Sequence, residues 1–146
     1  MNKPYDFTVF IGRFQPFHTG HLKVVREGLN QADKLILLIG SAWEPRNPRN
    51  PWTHQEREEM VRRCLSEAEN ARLLCLPLMD VPYNDEVWVR NVQSTVNGLV
   101  IAHHTVPHRP AKISLIRHRK DQPGFYLSLF PQWSSISIEN DQKISA

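Results

Sequence analysis

The residues most able to do chemistry stand together in the stretch Gly12-Arg13-Phe14-Gln15-Pro16-Phe17-His18-Thr19-Gly20-His21-Leu22. Gly12 closes an alternating run, Phe7–Ile11, that reads as a strand, and its missing side chain lets a ligand approach the backbone closely. Gly20 stands near the start of a helix that carries Leu22, Val25 and Leu29 at helical spacing. Free N–H groups and the positive dipole end favour an anion there. His18 and His21, three apart, are expected to project from one face of the first turn. Arg13 adds a permanent, forked cation. Glycines, imidazoles and a guanidinium converging on one small volume suit a phosphate group. A His-x-x-His pair also fits a fragment of a metal site or two surface histidines. No glutamate follows it in a metalloprotease pattern, however, and no third ligand is evident.

These residues need elements to hold them. Lys34–Gly40 is a continuous apolar run, as expected of a central parallel strand covered on both faces. Pro45, Pro48 and Pro51 force a loop over residues 44–52. Thr53 followed by Glu56 reads as a capping box, opening a helix with Met60, Val61, Cys64, Leu65 and Ala68 on one face. Glu56 and Arg57 are read as helix-start structure rather than chemistry. Arg72–Leu78 is a third strand, Asn84–Val96 a helix with Val89, Val92 and Val96 on one stripe, and Lys112–Ile116 a fourth strand. Phe125–Ile138 holds shorter elements without a clear assignment. The order β-α-β-α-β-α-β implies a mostly parallel sheet with right-handed crossovers. Ligands on such sheets bind beyond the carboxyl ends of the strands, where the loops Gly12–Gly20, Ser41–Trp52 and Pro82–Trp88 should meet.

Length and composition bound the rest. With 146 residues, 40% hydrophobic and 23% charged, the chain has the makings of one globular domain with a single core. No apolar run reaches membrane-span length and the first residues lack the apolar core of a signal peptide, so a soluble, cytoplasmic protein is expected. A net charge of +3, with Lys and Arg scattered apart from Arg117–Lys120, is thin for a nucleic-acid binder and suits a small phosphorylated substrate. Cys64 and Cys75 are read as two reduced core thiols. His103, His104 and His108, flanked by Pro107 and Pro110, are read as a solvated loop rather than a metal site. Trp43 and Trp52 lie in the Pro-rich loop as a lid or an anchor.

His18-Thr19-Gly20-His21 matches the H-x-G-H signature of the α/β phosphodiesterase-like nucleotidyltransferases. The longer stretch Gly-Arg-Phe-Gln-Pro-Phe-His-x-Gly-His-Leu resembles the archaeal-type nicotinamide mononucleotide (NMN) adenylyltransferases within it. Gly40-Ser41-Ala42, then Asn50-Pro51-Trp52-Thr53 and Glu56-Arg57, is similar to the family's Gly-Ser-Ala…(Asn/Asp)-Pro-Phe-Thr…Glu-Arg pattern. Asp80…Asn84…Trp88-Val89 resembles its nicotinamide-nucleotide site. His118-Arg119-Lys120-Asp121…Phe125-Tyr126-Leu127…Leu129-Phe130-Pro131-Gln132-Trp133 is similar to bacterial bifunctional members that add a Nudix hydrolase domain. Two departures stand out. Arg117 occupies a position where the family usually has glycine, and Ile144-Ser145-Ala146 matches only the opening of an Ile-Ser-x-Thr-x-x-Arg motif.

The resemblance implies a single Rossmann-like (HUP-type) α/β domain over residues 1–146, with helices on both faces, ending inside its C-terminal phosphate-binding motif. It implies adenylyl transfer from ATP to NMN, giving NAD and pyrophosphate. The implied catalytic residues are His18, His21, Arg13 and Arg49. Gly12, Phe14, Gln15, Gly20, His118 and Ser145 are the implied ATP contacts, and Ser41, Asp80, Asn84 and Trp88 the NMN contacts. Mg²⁺ would be held by the ATP phosphates, with no protein metal site. ATP and NMN are the implied partners, without nucleic acid or membrane, and homo-oligomerisation is left open. Two other readings stand beside this one: another phosphorylated acceptor, such as phosphopantetheine, or a truncated, weakly active nucleotide-binding module.

Overall fold

The computed structural model describes residues 3–106, 108–118 and 129–138. Strands β1 (Tyr5–Gly12), β2 (Ala32–Ile39), β3 (Leu73–Pro77), β4 (Ile113–His118) and β5 (Ser134–Ile138) form one sheet in the order β3-β2-β1-β4-β5. Every pairing between them is parallel. Helices α1 (Thr19–Gln31), α2 (His54–Arg63), α3 (Glu67–Ala71) and α4 (Asp85–His103) complete the described elements. The α/β expectation with a parallel sheet and helices around it therefore holds.

The apolar run of β2 explains the layering. Leu35, Leu37 and Ile39 enter one core cluster with Val24, Val25 and Leu29 of α1 and Val61 of α2. Ile36 and Leu38 enter the other, with Val92 and Val96 of α4 and Phe130. Successive side chains of a strand point to opposite faces, so a strand covered on both sides must be apolar throughout. The chain runs outward from β1 to β3 and then returns to lay β4 on the other side of β1. That reversal opens a crevice at the carboxyl ends of β1 and β4.

Four local readings need correction. The helix expected to run from Thr53 to Ala68 stops at Arg63. Ser66 then caps α3 by accepting from the Glu69 amide, while the Glu69 carboxylate returns to the Ser66 amide. Helix α4 continues past Val96 to His103, because burying Leu99 and Val100 against the second core cluster offsets the roughly 1 kcal/mol cost of Gly98. Of the three histidines read as loop, His103 is helical. His103 ends α4, and His104 caps it with Nε2 3.0 Å from the Arg109 carbonyl. Cys64 is exposed rather than in the core, while Cys75 is half-buried and its thiol is pushed up to about 12, chiefly by burial. Residues 125–128 of the unassigned stretch lie outside the described residues, and its end forms β5.

At the amino ends of the strands, Asp6 is buried and takes both Arg109 guanidinium nitrogens, at 2.8 and 3.0 Å, plus the Lys112 amide at 2.7 Å. This staple closes the sheet between β1 and β4 at the end opposite the crevice. Among the described residues no helix is long and apolar enough to cross a membrane.

Candidate active site

The crevice between β1 and β4 contains a cavity of about 370 Å³, lined by residues 10–16, His18, His21, Ile116 and Arg117. The switch point of the sheet and the glycine-histidine stretch thus coincide.

His18 is the N-cap of α1, not part of its first turn. Its Nδ1 accepts from the Gly20 amide at 3.1 Å and the His21 amide at 3.4 Å. His21 returns the contact, its Nδ1 accepting from the His18 amide at 3.2 Å. Two imidazoles therefore form the reciprocal box usually made by Ser/Thr and Glu. They also stack, with ring centroids 3.6 Å apart and planes 22° off parallel. Both Nδ1 atoms accept, which leaves Nε2 of each ring as the N–H donor. The Gly20 and His21 amides expected to be free for an anion are occupied by the His18 ring.

Gly20 has a second reason to be glycine: a Cβ there would lie 2.9 Å from His18 Cε1. The same holds for Gly12, where a Cβ would lie 2.7 Å from the Phe14 ring, so the glycine makes room for an internal packing partner. Phe14 is buried, packed edge-on against Phe10 and against His21 at 4.9 Å. Its ring supports the histidine from below. Burial first, then the neighbouring His18 and His118, lower the His21 pKa from 6.5 to about 4. His21 is thus uncharged at neutral pH.

Two clips join the loop after β1 to the loop before α2, and a third contact shapes the second loop. The Arg13 Nη2 donates to the Arg49 carbonyl at 2.8 Å and also contacts Asn50 Oδ1. Gln15 and the Trp52 main chain exchange two hydrogen bonds of 3.1 Å. The Asn47 side chain takes the Arg49 and Asn50 amides, both at 2.9 Å, which turns the loop tip toward Arg13. Arg13 and Arg49 are thereby brought together on one rim. Gln15 serves as a loop clip, and Trp52 is anchored through it. Trp43 is 62% exposed and meets His54 edge-on at 5.2 Å.

On the β2–β3 side, Ser41 donates its hydroxyl to Asp80 at 2.8 Å, and the Ala42 amide reaches the Leu78 carbonyl at 3.1 Å. Asn84 caps α4, its Oδ1 accepting from the Val87 amide at 3.1 Å. Trp88, one turn on, is half-buried against the second core cluster, 5.9 Å from the Phe130 ring. Ser41 and Asp80 form one pair, Asn84 and Trp88 another, both at the carboxyl end of the sheet. His118 is half-buried at the end of β4. Ser145 lies outside the described residues, as do residues 119–128 of the resemblance to the bifunctional proteins.

Residues 9–97 match the cytidylyltransferase-like family. The chain belongs to that family. It is 38% identical over 136 residues to the nicotinamide/nicotinic acid mononucleotide adenylyltransferase of Acinetobacter baylyi, covering 93% of this chain and 68% of that one. It is 43% identical over 89 residues to the nicotinamide-nucleotide adenylyltransferase of Pyrococcus horikoshii, covering 60% of this chain and 47% of that one. The fold superposes on a bifunctional NMN adenylyltransferase/ADP ribose pyrophosphatase from Francisella tularensis, crystallised with AMP and a Mn ion. There the TM-score is 0.81 and the identity 29%, and the match covers 97% of this chain and 39% of that one. The chain therefore spans about half the length, or less, of most of these relatives. The resemblance to NMN adenylyltransferases is borne out, and by family the chain is a nucleotidyltransferase.

For this nucleotidyltransferase the lining of the cavity bears on metal binding. It offers imidazole, guanidinium and amide groups without a carboxylate, and among the described residues no three His, Cys, Asp or Glu side chains converge on a metal position. That donor set fits a divalent ion carried by phosphate oxygens and water. One contributor was read from the sequence only as helix-start structure. Arg57 is 1% exposed and its guanidinium donates to the Arg13 and Gly40 carbonyls, just after β1 and β2. Its position on the same helical stripe as Val61 and Cys64 was the available signal, a charge where the core-facing residues recur.

Proposed function

We propose that this chain transfers the adenylyl group of ATP to NMN, giving NAD and pyrophosphate. The observation that carries the reading is the stacked His18–His21 pair at the start of α1, opening into the crevice between β1 and β4. The relatives' names supply the acceptor. An NMN phosphate oxygen attacks the ATP α-phosphorus, and the bond to the bridging oxygen breaks with its electron pair leaving on pyrophosphate. The attacking phosphate monoester is already largely ionised at neutral pH, its second pKa being about 6, so no general base is required. Catalysis then rests on alignment and on donors aimed at developing charge. His18 and His21 supply Nε2–H groups, and Arg13 and Arg49 hold the triphosphate. A divalent ion such as Mg²⁺, carried by the substrate rather than by protein carboxylates, would supply positive charge against the departing pyrophosphate. Trp88 offers its ring to the nicotinamide. Asn84, whose oxygen is used in capping, keeps its amide nitrogen to donate, and Ser41 and Asp80 face the acceptor from β2 and β3. Both substrates are cytoplasmic solutes, and the enzyme is read as working there.

The test is NAD formation by the purified chain from NMN, ATP and Mg²⁺, with phosphopantetheine offered in parallel. Turnover with NMN is expected, and His18→Ala or His21→Ala should each lower kcat by about 10²–10³-fold, the usual loss for one transition-state donor. Turnover with phosphopantetheine alone would sink the acceptor assignment. Wild-type rates in both variants would sink the mechanism.

A further inference from the structure

Arg57 is a full positive charge at 1% exposure, and the hydrogen bonds it makes run to main-chain oxygens. Nη1 donates to the carbonyls of Arg13 at 2.7 Å and Gly40 at 2.6 Å, Nη2 to Ser41 at 3.2 Å, and Nε to Thr53 at 3.2 Å. One guanidinium thus ties the end of β1, the end of β2 and the first turn of α2 into a single joint. The carbonyls it grips have something in common. Arg13 immediately precedes Phe14, with φ 53°, and Gly40 immediately precedes Ser41, with φ 51°. Non-glycine residues keep that left-handed conformation only where their surroundings enforce it. Each of these turns then aims one functional side chain. Before Phe14, the Arg13 side chain is turned toward Arg49 and Asn50. At Ser41, the hydroxyl is turned toward Asp80.

We infer that Arg57 is a positioning residue: it fixes the separation between the loop that holds the triphosphate and the loop that faces the acceptor. The inference rests on the reading above for which substrate lies on which loop. It explains why the residue is arginine. A planar fork reaches carbonyls on both sides at once, and it is more weakly hydrated than an ammonium, so it tolerates burial better. A lysine at this position keeps the charge and loses the span.

The experiment uses Arg57→Lys and Arg57→Ala in the full chain. In Arg57→Lys, kcat should fall about 10²-fold, the order expected when reacting groups are misplaced by roughly 1 Å. ATP and NMN should still bind one to a chain by calorimetry, because each loop retains its own contacts. Amide exchange at Gly40, bonded to the Gly12 carbonyl, and at Ala42, bonded to the Leu78 carbonyl, should accelerate while the middle of β2 stays protected. In Arg57→Ala, millimolar guanidinium should restore part of the lost kcat, and it should do nothing for the wild type. Loss of binding stoichiometry in step with kcat would show a stability role only and overturn the proposal. Unchanged exchange at Gly40 and Ala42 in Arg57→Lys would overturn it as well. If the wild type made no NAD from NMN, the functional reading would fall, while the exchange measurements would still decide what Arg57 holds. If Arg57→Ala did not fold, Arg57→Lys would decide alone.

Discussion

Gly20→Ala separates the chemistry of the histidine pair from the stability of the helix that carries it. A Cβ at Gly20 would stand 2.9 Å from His18 Cε1 and 3.1 Å from His18 Nδ1, well inside the 3.5–4.0 Å of an ordinary carbon contact. The Gly20 backbone is not left-handed, so alanine fits its main chain. The exposed His18 ring is what must give way. Two stability effects then oppose each other. Alanine gains up to about 1 kcal/mol over glycine inside a helix. The displaced ring forfeits the amides of Gly20 and His21, a cap of about 1 kcal/mol. The net change is close to zero, and the melting temperature should stay within about 5 °C of wild type. Turnover should behave differently. Swinging His18 off its stack on His21 misdirects one Nε2–H donor, a loss of about 2.7–4 kcal/mol in the transition state, or 10²–10³-fold in kcat. The assay is NAD formation from NMN and ATP beside a thermal melt of the same preparation. A wild-type rate with an unshifted melt would show that the His18 ring position is irrelevant to catalysis. A melt lowered by tens of degrees would show that the glycine serves the fold instead.

Three further outcomes are expected. His21 should stay neutral by NMR until about pH 4. Its folded value is depressed below the unfolded one, so stability should decline as pH falls from 6.5 toward 4, and His21→Asn should flatten that slope in urea melts; a His21 titration near 6.5 would refute the burial argument. Trp88→Ala should weaken NMN binding by about 1–3 kcal/mol, one lost stacking partner, and leave ATP binding by calorimetry nearly unchanged. Equal losses for both ligands would mean that Trp88 serves the core cluster it packs against. Asp6→Asn should lower the midpoint of denaturant melts, because the neutral amide cannot replace the carboxylate that takes Arg109 and the Lys112 amide, with kcat unchanged at the far end of the sheet. The Arg109 hydrogen bond holds the Asp6 carboxyl below its usual 3.8, so this contribution is present above that pH and disappears as pH falls through the lowered value.

What the sequence determined by itself is what neighbours along the chain can settle. The continuous apolar run of β2 required cover on both faces, and two core clusters supply it. Thr53 and Glu56 closed their capping box as written, because both hydrogen bonds span three residues. Ser66 and Glu69 carried the same local signal, and it accounts for the break between α2 and α3. The site was legible to a similar depth: glycine and two histidines at a helix start pointed to the place where the cavity opens, and made a phosphate ligand the expectation. Tertiary structure decided how those residues are used. The His18 ring caps the helix because the chain enters α1 extended, with φ −134° and ψ 179°. Gly12 is small to admit Phe14, which only the packing of β1 against α1 reveals. Asp6 meets Arg109 across 103 positions of sequence, and Arg57 reaches Arg13 across 44. Such partners become neighbours only once β2 and β4 flank β1, because sheet order sets which distant carbonyls and carboxylates come within 3 Å of a buried guanidinium.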